Sequence, residues 1–175
     1  MMRDKEKRER EDMSLKEVHV VTSFIMYKGR VLILKRSAKV RTMKHKWAGV
    51  SGYIEQGEMN DSGILERAYK EIEEETGIAR EHLRLVSICP SLRAIDEKNA
   101  TIWIVHPFLF LLTSCKDEGG GSSNNSNCNI DIDIRIDWEH DEYMWIKPED
   151  ILLYDTVPML KEALESCLGK SLTNL

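Results

Sequence analysis

The sequence is poor in the features that mark several large classes of protein. Of its 175 residues only four are cysteine and four are proline, and aromatic side chains make up 7%. No apolar run approaches the roughly 18 residues of a membrane-spanning helix. The longest, residues 103–113, is interrupted by His106 and Pro107. The net charge of −5, from 25 basic and 30 acidic side chains, disfavours binding to bulk nucleic acid.

The few cysteines are scattered, and they form no Cys-x-x-Cys pair and no metal-ligand spacing with histidine. They are also too sparse for a disulfide scaffold, so we expect reduced thiols. Residues 3–12 are almost all charged and lack the apolar core of a secretory signal. These observations predict a cytoplasmic protein. The cysteines are Cys89, Cys115, Cys128 and Cys167.

Length and an apolar fraction of 42% predict a single globular domain. Residues 1–16 mix charges of both signs with little apolar content, which predicts a disordered tail. The domain then covers residues 17–170. Within it, residues 116–129 are rich in Gly, Ser and Asn and predict a flexible loop, because such a segment cannot bury enough apolar surface to order itself.

Hydrophobic patterning predicts several strands and two helices. Residues 19–26 and 31–34 flank a turn at 27–30, which is a hairpin signature. A helix is predicted at 62–76, capped by Asp61 or Ser62 and followed by Gly77. A second is predicted at 156–168, with Pro158 in its first turn. We therefore expect an α/β layered domain with a mixed sheet. Further strands are predicted at 83–88, 101–113, 130–138 (alternating Ile and Asp or Arg) and 143–146.

The predicted helix at 62–76 carries closely spaced glutamates near its end. At about 100° per residue, Glu71, Glu74 and Glu75 share one face, whereas Glu73 points away. Three carboxylates on one face repel each other unless a cation compensates. Oxygen ligands at this density suit Mg²⁺ or Mn²⁺, which typically bridge to substrate phosphates. The alternative is an ordinary solvated acidic helix.

A glycine-rich segment before this helix completes a longer pattern. Gly52 is followed after five residues by Glu58, and later by Lys70-Glu-Ile-x-Glu-Glu-x-Gly-Ile78. This arrangement resembles the Nudix hydrolase box, G-x5-E-x7-R-E-U-x-E-E-x-G-U, where U is a bulky aliphatic residue. The spacer from Glu58 to the basic position holds eleven residues instead of seven. Four extra residues are close to one helical turn, so the glutamate face is kept.

The second departure is Lys70 in place of the motif's arginine. Lysine keeps the charge but loses the two-pronged fork that orients a neighbouring carboxylate. The resemblance extends to residues 47–51, where Ser51 stands in for a second glycine and offers its carbonyl to a metal. It also extends to residues 139–145, where it implies a further catalytic carboxylate at Glu139, with Glu142 as second choice.

The resemblance implies a Nudix-type α/β/α sandwich that cleaves the pyrophosphate bond of a nucleoside diphosphate linked to another group, X. The implied cofactor is Mg²⁺ (or Mn²⁺), which would neutralise the diphosphate and lower the pKa of a bound water. Glu71 or Glu139 would accept the proton of that water. The implied metal ligands are Glu71, Glu74, Glu75, Glu58 and Ser51; the implied substrate contacts are Arg36, Lys44, Lys46 and Gly52, with Lys70 orienting the site.

Other interpretations remain open. A non-catalytic nucleotide-binding module would fit Lys70, and an isopentenyl diphosphate isomerase would need a site cysteine, for which Cys89 is the nearest candidate. An RNA-processing role is compatible with the Nudix box but is disfavoured by the net negative charge of the chain. The partner we expect is a nucleotide-type small molecule, not a membrane. Residues 157–168 form either a homodimer face or a helix that packs on the sheet. Three aromatic residues either stack on a base or fill the core: Trp47, Tyr53 and Trp138.

Overall fold

The computed structural model describes residues 15–113 and 133–172. The predicted flexible loop at 116–129 lies outside these residues, as does nearly all of the predicted tail. The tail prediction is wrong at its end, because Lys16 already belongs to the first strand. That strand pairs with another from Lys16 to Met26, which fixes a residue that looks solvated in the sequence.

Within the described residues, eight strands form one sheet in the order β3-β2-β1-β7-β5, with β4 paired to β1, β6 to β7 and β8 to β2. Strands β1 and β7 run parallel, from Lys16 opposite Thr101 to Met26 opposite Leu111. The other ladders are antiparallel, so the sheet is mixed, as predicted. The strands are β1 (Lys16–Tyr27), β2 (Arg30–Arg36), β3 (Trp47–Ala48), β4 (Val50–Tyr53), β5 (Leu83–Ile88), β6 (Leu92–Asp96), β7 (Thr101–Leu112) and β8 (His140–Ile146).

Two α-helices cover the sheet, α1 (Asp61–Thr76) on one face and α2 (Leu160–Leu168) on the other. Successive side chains of a strand point to opposite faces, so Ile25 packs beneath α1 and Phe24 beneath α2. The result is the expected α/β/α sandwich. The core under α1 includes Val21, Leu34, Ala68, Ile72 and Phe110; the core under α2 includes Ile33, Leu109, Leu160, Ala163 and Leu164.

The predicted hairpin is confirmed, with Tyr27 opposite Arg30 and the turn residues Lys28 and Gly29 both at positive φ. The predictions at 83–88, 101–113 and 143–146 correspond to β5, β7 and the end of β8. The glycine-rich segment before α1 contains β4 and directly follows β3; neither of these strands nor β6 was predicted. These three strands are short or polar, and they form because longer neighbours offer free edges for pairing.

The strand predicted at 130–138 is wrong over its described part, since residues 133–139 form no strand. The alternation has another cause. Ile134 is buried in the core beneath α1, and the Arg135 N–H donates to the Thr76 carbonyl at 2.9 Å. The alternate apolar side chains of this segment pack against the core at the end of α1, while its described backbone pairs with no strand.

Both helix starts differ from prediction. Helix α1 begins at Asp61, and Asn60 is its cap, its side chain accepting the Gly63 N–H at 3.0 Å. Helix α2 begins at Leu160, so Pro158 precedes it; a 3₁₀ helix occupies Pro148–Leu153. The apolar face of α2 packs on the sheet, which accounts for its pattern. Dimerisation stays a prediction.

The prediction of reduced thiols is wrong for one pair, because Cys89 and Cys167 form a disulfide with a Cα–Cα distance of 5.2 Å. They are separated by 78 positions, and only the fold brings the end of β5 beside α2. Cys115 and Cys128 lie outside the described residues. Among the helices described, none is long and apolar enough to cross a membrane.

Candidate active site

The predicted acidic face of α1 lies against β4. Glu75 is only 4% exposed and its carboxylate accepts the Ser51 N–H at 3.4 Å. The Glu71 side chain is 14% exposed, whereas Glu74 is more than half exposed. The helix ends directly after them at Gly77, whose left-handed φ of 71° lets its N–H donate to the Glu73 carbonyl at 2.9 Å. The three carboxylates thus differ in burial, with Glu75 the most buried, Glu71 next and Glu74 the most exposed.

Burial dominates the electrostatics of this cluster. It raises the pKa of Glu75 well above the usual range, and the carboxylates of Glu71, Asp137 and Glu139 raise it further, against the opposing effect of the Ser51 N–H. Burial also raises the pKa of Glu71. Burying negative charge is costly unless it is paired. A cation bound at this cluster would therefore offset the cost of burying several carboxylates together.

Gly52 lies on β4 beside the carboxyl group of Glu71. A methyl group added at this glycine would overlap the Cδ and Oε1 atoms of Glu71. The absence of a side chain at position 52 therefore allows the Glu71 carboxylate to sit against the strand. Both residues line the same cavity.

An arginine that the motif comparison did not single out lies inside the cluster. Arg67 donates from Nε and Nη2 to the two carboxylate oxygens of Glu58, at 2.9 and 2.6 Å, and from Nη1 to Glu71 at 3.2 Å. These contacts lower the pKa of Glu58. Lys70, at the motif's basic position, is 57% exposed and its nearest carboxylate is Glu74 at 3.8 Å.

A distant segment completes the cluster. His140 is fully buried; its Nδ1 lies 3.0 Å from the Asp137 carboxylate and its Nε2 lies 3.8 Å from Glu75. Burial is the main cause of the lowered pKa of His140. Glu139 lines the cavity, and its carbonyl accepts the Ser37 N–H at 2.7 Å, which anchors the segment to the end of β2. Sequence reasoning missed Asp137 and His140; their position just before the last predicted strand was the available signal.

The predicted cationic contacts are placed unequally. Arg36 lines the cavity, and its Nε and Nη2 donate to the Thr42 carbonyl at 3.3 and 3.2 Å. Lys46 forms an ion pair with Asp155 at 2.5 Å. Lys44 is exposed and lies outside the cavity lining of the described structure. The fold therefore brings one of the three, Arg36, to the cavity.

The cavity has a volume of about 890 Å³ and joins the acidic cluster to an apolar region. Tyr53 and Trp103 lie in that region with ring centroids 6.2 Å apart. Tyr53 is 58% exposed despite its aromatic ring. Met43 and Met159 also line the cavity, and both have left-handed backbone conformations that are uncommon outside glycine.

The other two aromatic candidates lie elsewhere. Trp47 is buried and packs edge-on against Tyr154, with ring centroids 5.5 Å apart, so it belongs to the core. Trp138 is exposed and does not belong to the cavity lining of the described residues. Sequence reasoning missed Trp103, because β7 reads as a uniformly buried strand.

The chemistry of the acidic side chains bears on the metal prediction. Across residues 15–113 and 133–172, no three His, Cys, Asp or Glu side chains already converge as a metal site. The donors nonetheless fit a hard divalent cation, because Glu71, Glu74 and Glu139 present carboxylate oxygens at the cavity wall. Within the described structure, Glu75 does not line the cavity and is buried among like charges. Cys89 is held in the disulfide and does not line this cavity, so no described cysteine serves an isomerase reaction there.

Comparison with known proteins agrees with this fold. The NUDIX domain family matches residues 17–167. Similar solved structures include a C. elegans Ap4A hydrolase (18% identity, 86% of this chain and 93% of that chain, TM-score 0.58) and a MutT protein from Methanosarcina mazei Go1 (24%, 86% and 91%, 0.59). An E. coli dihydroneopterin triphosphate pyrophosphohydrolase is also similar (19%, 85% and 92%, 0.58). Curated proteins gave no significant match.

A sheet between two helical layers, with an acidic helix behind a glycine-containing strand, defines the Nudix hydrolase fold here. Because the family matches most of the chain, from the start of β1 to the end of α2, the chain belongs to the NUDIX domain family.

Proposed function

We propose that this protein is a metal-dependent hydrolase that cleaves the pyrophosphate bond of a nucleoside diphosphate linked to another group, X. One observation carries the proposal: the buried Glu75 lies behind Glu71, which is largely buried and lines a cavity that Arg36 also lines. A cation would stabilise carboxylates buried close together. A cation bound there would also contact the substrate diphosphate, which Arg36 attracts from the same cavity.

Mg²⁺ or Mn²⁺ would be held by Glu71, Glu74 and Glu75, with Glu139 and the Ser51 carbonyl in support. When bound, the ion would supply charge neutralisation for the diphosphate and lower the pKa of a water. Glu71 and Glu139 both line the cavity, so either can accept a proton from water there. Glu58 is a weaker ligand candidate than the motif suggests, since Arg67 occupies both of its carboxylate oxygens.

The substrate would lie along the cavity. Arg36 would contact the diphosphate, with Lys46 and Lys44 further out, and Gly52 would allow the substrate close to the backbone of β4. The nucleoside would lie on Tyr53 and Trp103, whose rings are neighbours in the cavity wall. One cavity would thus offer charged side chains to the diphosphate and aromatic rings to the nucleoside.

The test is a hydrolysis screen of the purified protein with Mg²⁺ or Mn²⁺. The panel contains nucleotide sugars, dinucleoside polyphosphates, ADP-ribose, NADH and nucleoside triphosphates, with products separated by chromatography. We expect metal-dependent cleavage of one class, and loss of that cleavage by orders of magnitude in Glu74→Gln. Cleavage that persists in EDTA, or that Glu74→Gln leaves unchanged, would contradict the proposal.

A second candidate is a non-catalytic nucleotide-binding module. It is favoured by the exposed Lys70, which makes no close contact with Glu71 at the position where the motif has arginine. Binding of a nucleotide derivative without any hydrolysis across the panel would support this second function.

The cytoplasmic location and the homodimer also remain proposals. The disulfide between Cys89 and Cys167 is uncommon in reducing compartments, so location is worth measuring directly. Fractionation of cells with an antibody to the protein tests the first proposal, and light scattering of the purified protein tests the second.

A further inference from the structure

We infer that Arg67, three residues before the motif's basic position, is the positioning residue of this site, an inference that rests on the proposed function. Its guanidinium contacts two carboxylates of the motif at once, Glu58 through two hydrogen bonds and Glu71 through a third. Lys70, which occupies the motif position itself, reaches neither.

The Arg67 contacts have the geometry of a strong interaction. Two parallel N–H donors meet the two oxygens of Glu58, a bidentate pairing that only arginine can make. The Arg67 side chain is 10% exposed, so water screens these contacts little. Glu58 is fixed in turn by the Glu55 N–H, which donates to Oε2 at 3.0 Å. Arg67 therefore ties α1 to the segment that precedes it.

The same guanidinium restricts the carboxylate of Glu71. Arg67 lies one helical turn before Glu71 on the same face, and its Nη1 donates to Oε1. On its other side, Glu71 abuts the backbone of Gly52. The carboxyl group is thus held between a strand and a cation, which limits the directions in which it can present an oxygen to a ligand.

The long spacer explains why the arginine is displaced. The motif places arginine eight positions after its first glutamate and directly before its second. Four extra residues in this chain make both conditions impossible for one residue. Arg67 is nine positions after Glu58 and so keeps the contact with that glutamate; Lys70 keeps only adjacency to Glu71. Because Arg67 lies four residues before Glu71, about one helical turn, it also faces that glutamate.

Lys70 is more exposed than Arg67 and less firmly held. Its Nζ is 3.8 Å from Glu74, beyond hydrogen-bond distance, and the lysine and glutamate side chains are each more than half exposed. Exposed pairs of this kind contribute little to holding either side chain in place. Lys70 therefore acts as a surface cation of α1.

The experiment compares Arg67→Gln and Arg67→Lys with Lys70→Gln in the full-length protein. The matched control is Arg80→Gln, which removes another arginine paired with a glutamate of α1, Glu66 at 2.6 Å, at an exposed position outside the cavity. The first measurement is Mn²⁺ affinity by electron paramagnetic resonance of free Mn²⁺, without substrate. The second is kcat and KM on the substrate that the screen identifies.

We expect Arg67→Gln to weaken Mn²⁺ binding and to lower kcat, each by roughly 10- to 100-fold, as for other residues that orient metal ligands. KM should change less than about threefold if Arg67 contacts carboxylates and not substrate. Arg67→Lys should recover part of the loss, and it serves if Arg67→Gln does not fold. Lys70→Gln and Arg80→Gln should each change both quantities less than about threefold.

The inference is overturned if Arg67→Gln binds Mn²⁺ and turns over substrate like the wild type. It is also overturned if Lys70→Gln loses as much Mn²⁺ affinity and kcat as Arg67→Gln. That result would show that the residue at the motif position orients the glutamates. These outcomes leave the proposed function intact, because the wild type still binds metal. Absence of Mn²⁺ binding by the wild type would instead remove the proposed function, and this inference with it.

Discussion

At the scale of single residues, the candidate site contains a close approach between a glycine and a glutamate. Any side chain at position 52 would overlap the Glu71 carboxyl group. We therefore expect Gly52→Ala to displace that carboxylate and to lower kcat roughly 100-fold, since misplacement by about 1 Å has effects of this size. Steady-state kinetics with the substrate found in the screen measure the change.

Gly57→Ala provides the matched control for this substitution. Gly57 lies five residues further along the same segment, with no heavy atom within 4 Å of an added methyl group. It should keep kcat within about threefold and keep the thermal unfolding temperature. If Gly52→Ala is as active as Gly57→Ala, the contact between Gly52 and Glu71 is unimportant for the reaction.

A second residue-scale prediction concerns the apolar end of the cavity. Tyr53→Ala should raise KM by roughly 3- to 10-fold at nearly unchanged kcat, because an aromatic contact to a nucleoside is lost. Tyr143→Ala, which removes a tyrosine of β8 outside the cavity lining, should leave KM unchanged. Equal KM values in the two variants would show that the nucleoside lies elsewhere.

The sequence predicted the glutamates of this site better than their neighbours. Glu71, Glu74 and Glu75 belong to one helix, and their relative directions follow from 3.6 residues per turn. Arg67 was missed because the comparison followed the motif position, although its distance of four residues from Glu71 carries the same helical information. His140 was not predicted because its partner Glu75 is far away in the sequence.

At the scale of elements, the start of α1 tests the corrected cap. Asn60→Ala should lower the free energy of unfolding by about 1 kcal/mol, because the bond to the Gly63 N–H is lost. Ser62→Ala should change it by less than about 0.5 kcal/mol. Urea unfolding followed by circular dichroism measures both. A larger loss in Ser62→Ala would return the cap to the position predicted from the sequence.

The disulfide is a second stabilising feature at this scale, since it joins the end of β5 to α2. Cys167→Ser should lower the free energy of unfolding by about 2–4 kcal/mol, because the cross-link constrains a long loop of the unfolded chain. Dithiothreitol should lower the stability of the wild type toward that of the variant. A wild type that unfolds identically with and without reductant, and like the variant, would contradict a role for this bond.

Strands were predicted where they are long and apolar. Strands β1 and β7 carry β-branched and aromatic side chains along most of their length, and β propensity reflects such packing. Strands β3, β4 and β6 are defined mainly by pairing with β2, β1 and β7, which local sequence does not reveal. The strand wrongly predicted at 133–138 has the same origin. Its apolar and polar residues alternate, but its described backbone pairs with no other strand.

At the scale of the whole molecule, the site joins parts of the chain that are remote in sequence. Helix α1 supplies Glu71 and Glu74 to the cavity wall, with Glu75 buried behind them. Strand β4 supplies Gly52, the end of β2 supplies Arg36, and the segment before β8 supplies Glu139. The family resemblance predicted this assembly, whereas local patterning predicted only the acidic helix. The long-range contacts, including the disulfide, follow from the packing of two helices on one sheet.

The central claim is that the buried carboxylate cluster acts through a divalent cation. Its most direct test is the dependence of hydrolysis on Mg²⁺ concentration in the wild type and in Glu75→Gln. We expect no turnover in EDTA, recovery with Mg²⁺, and a loss of orders of magnitude in Glu75→Gln at saturating Mg²⁺. The metal-free variant should be as stable as the metal-free wild type, because burial already disfavours the charged form of Glu75 and a neutral amide carries no such penalty. Wild-type turnover in EDTA, or equal turnover in Glu75→Gln, would contradict the account.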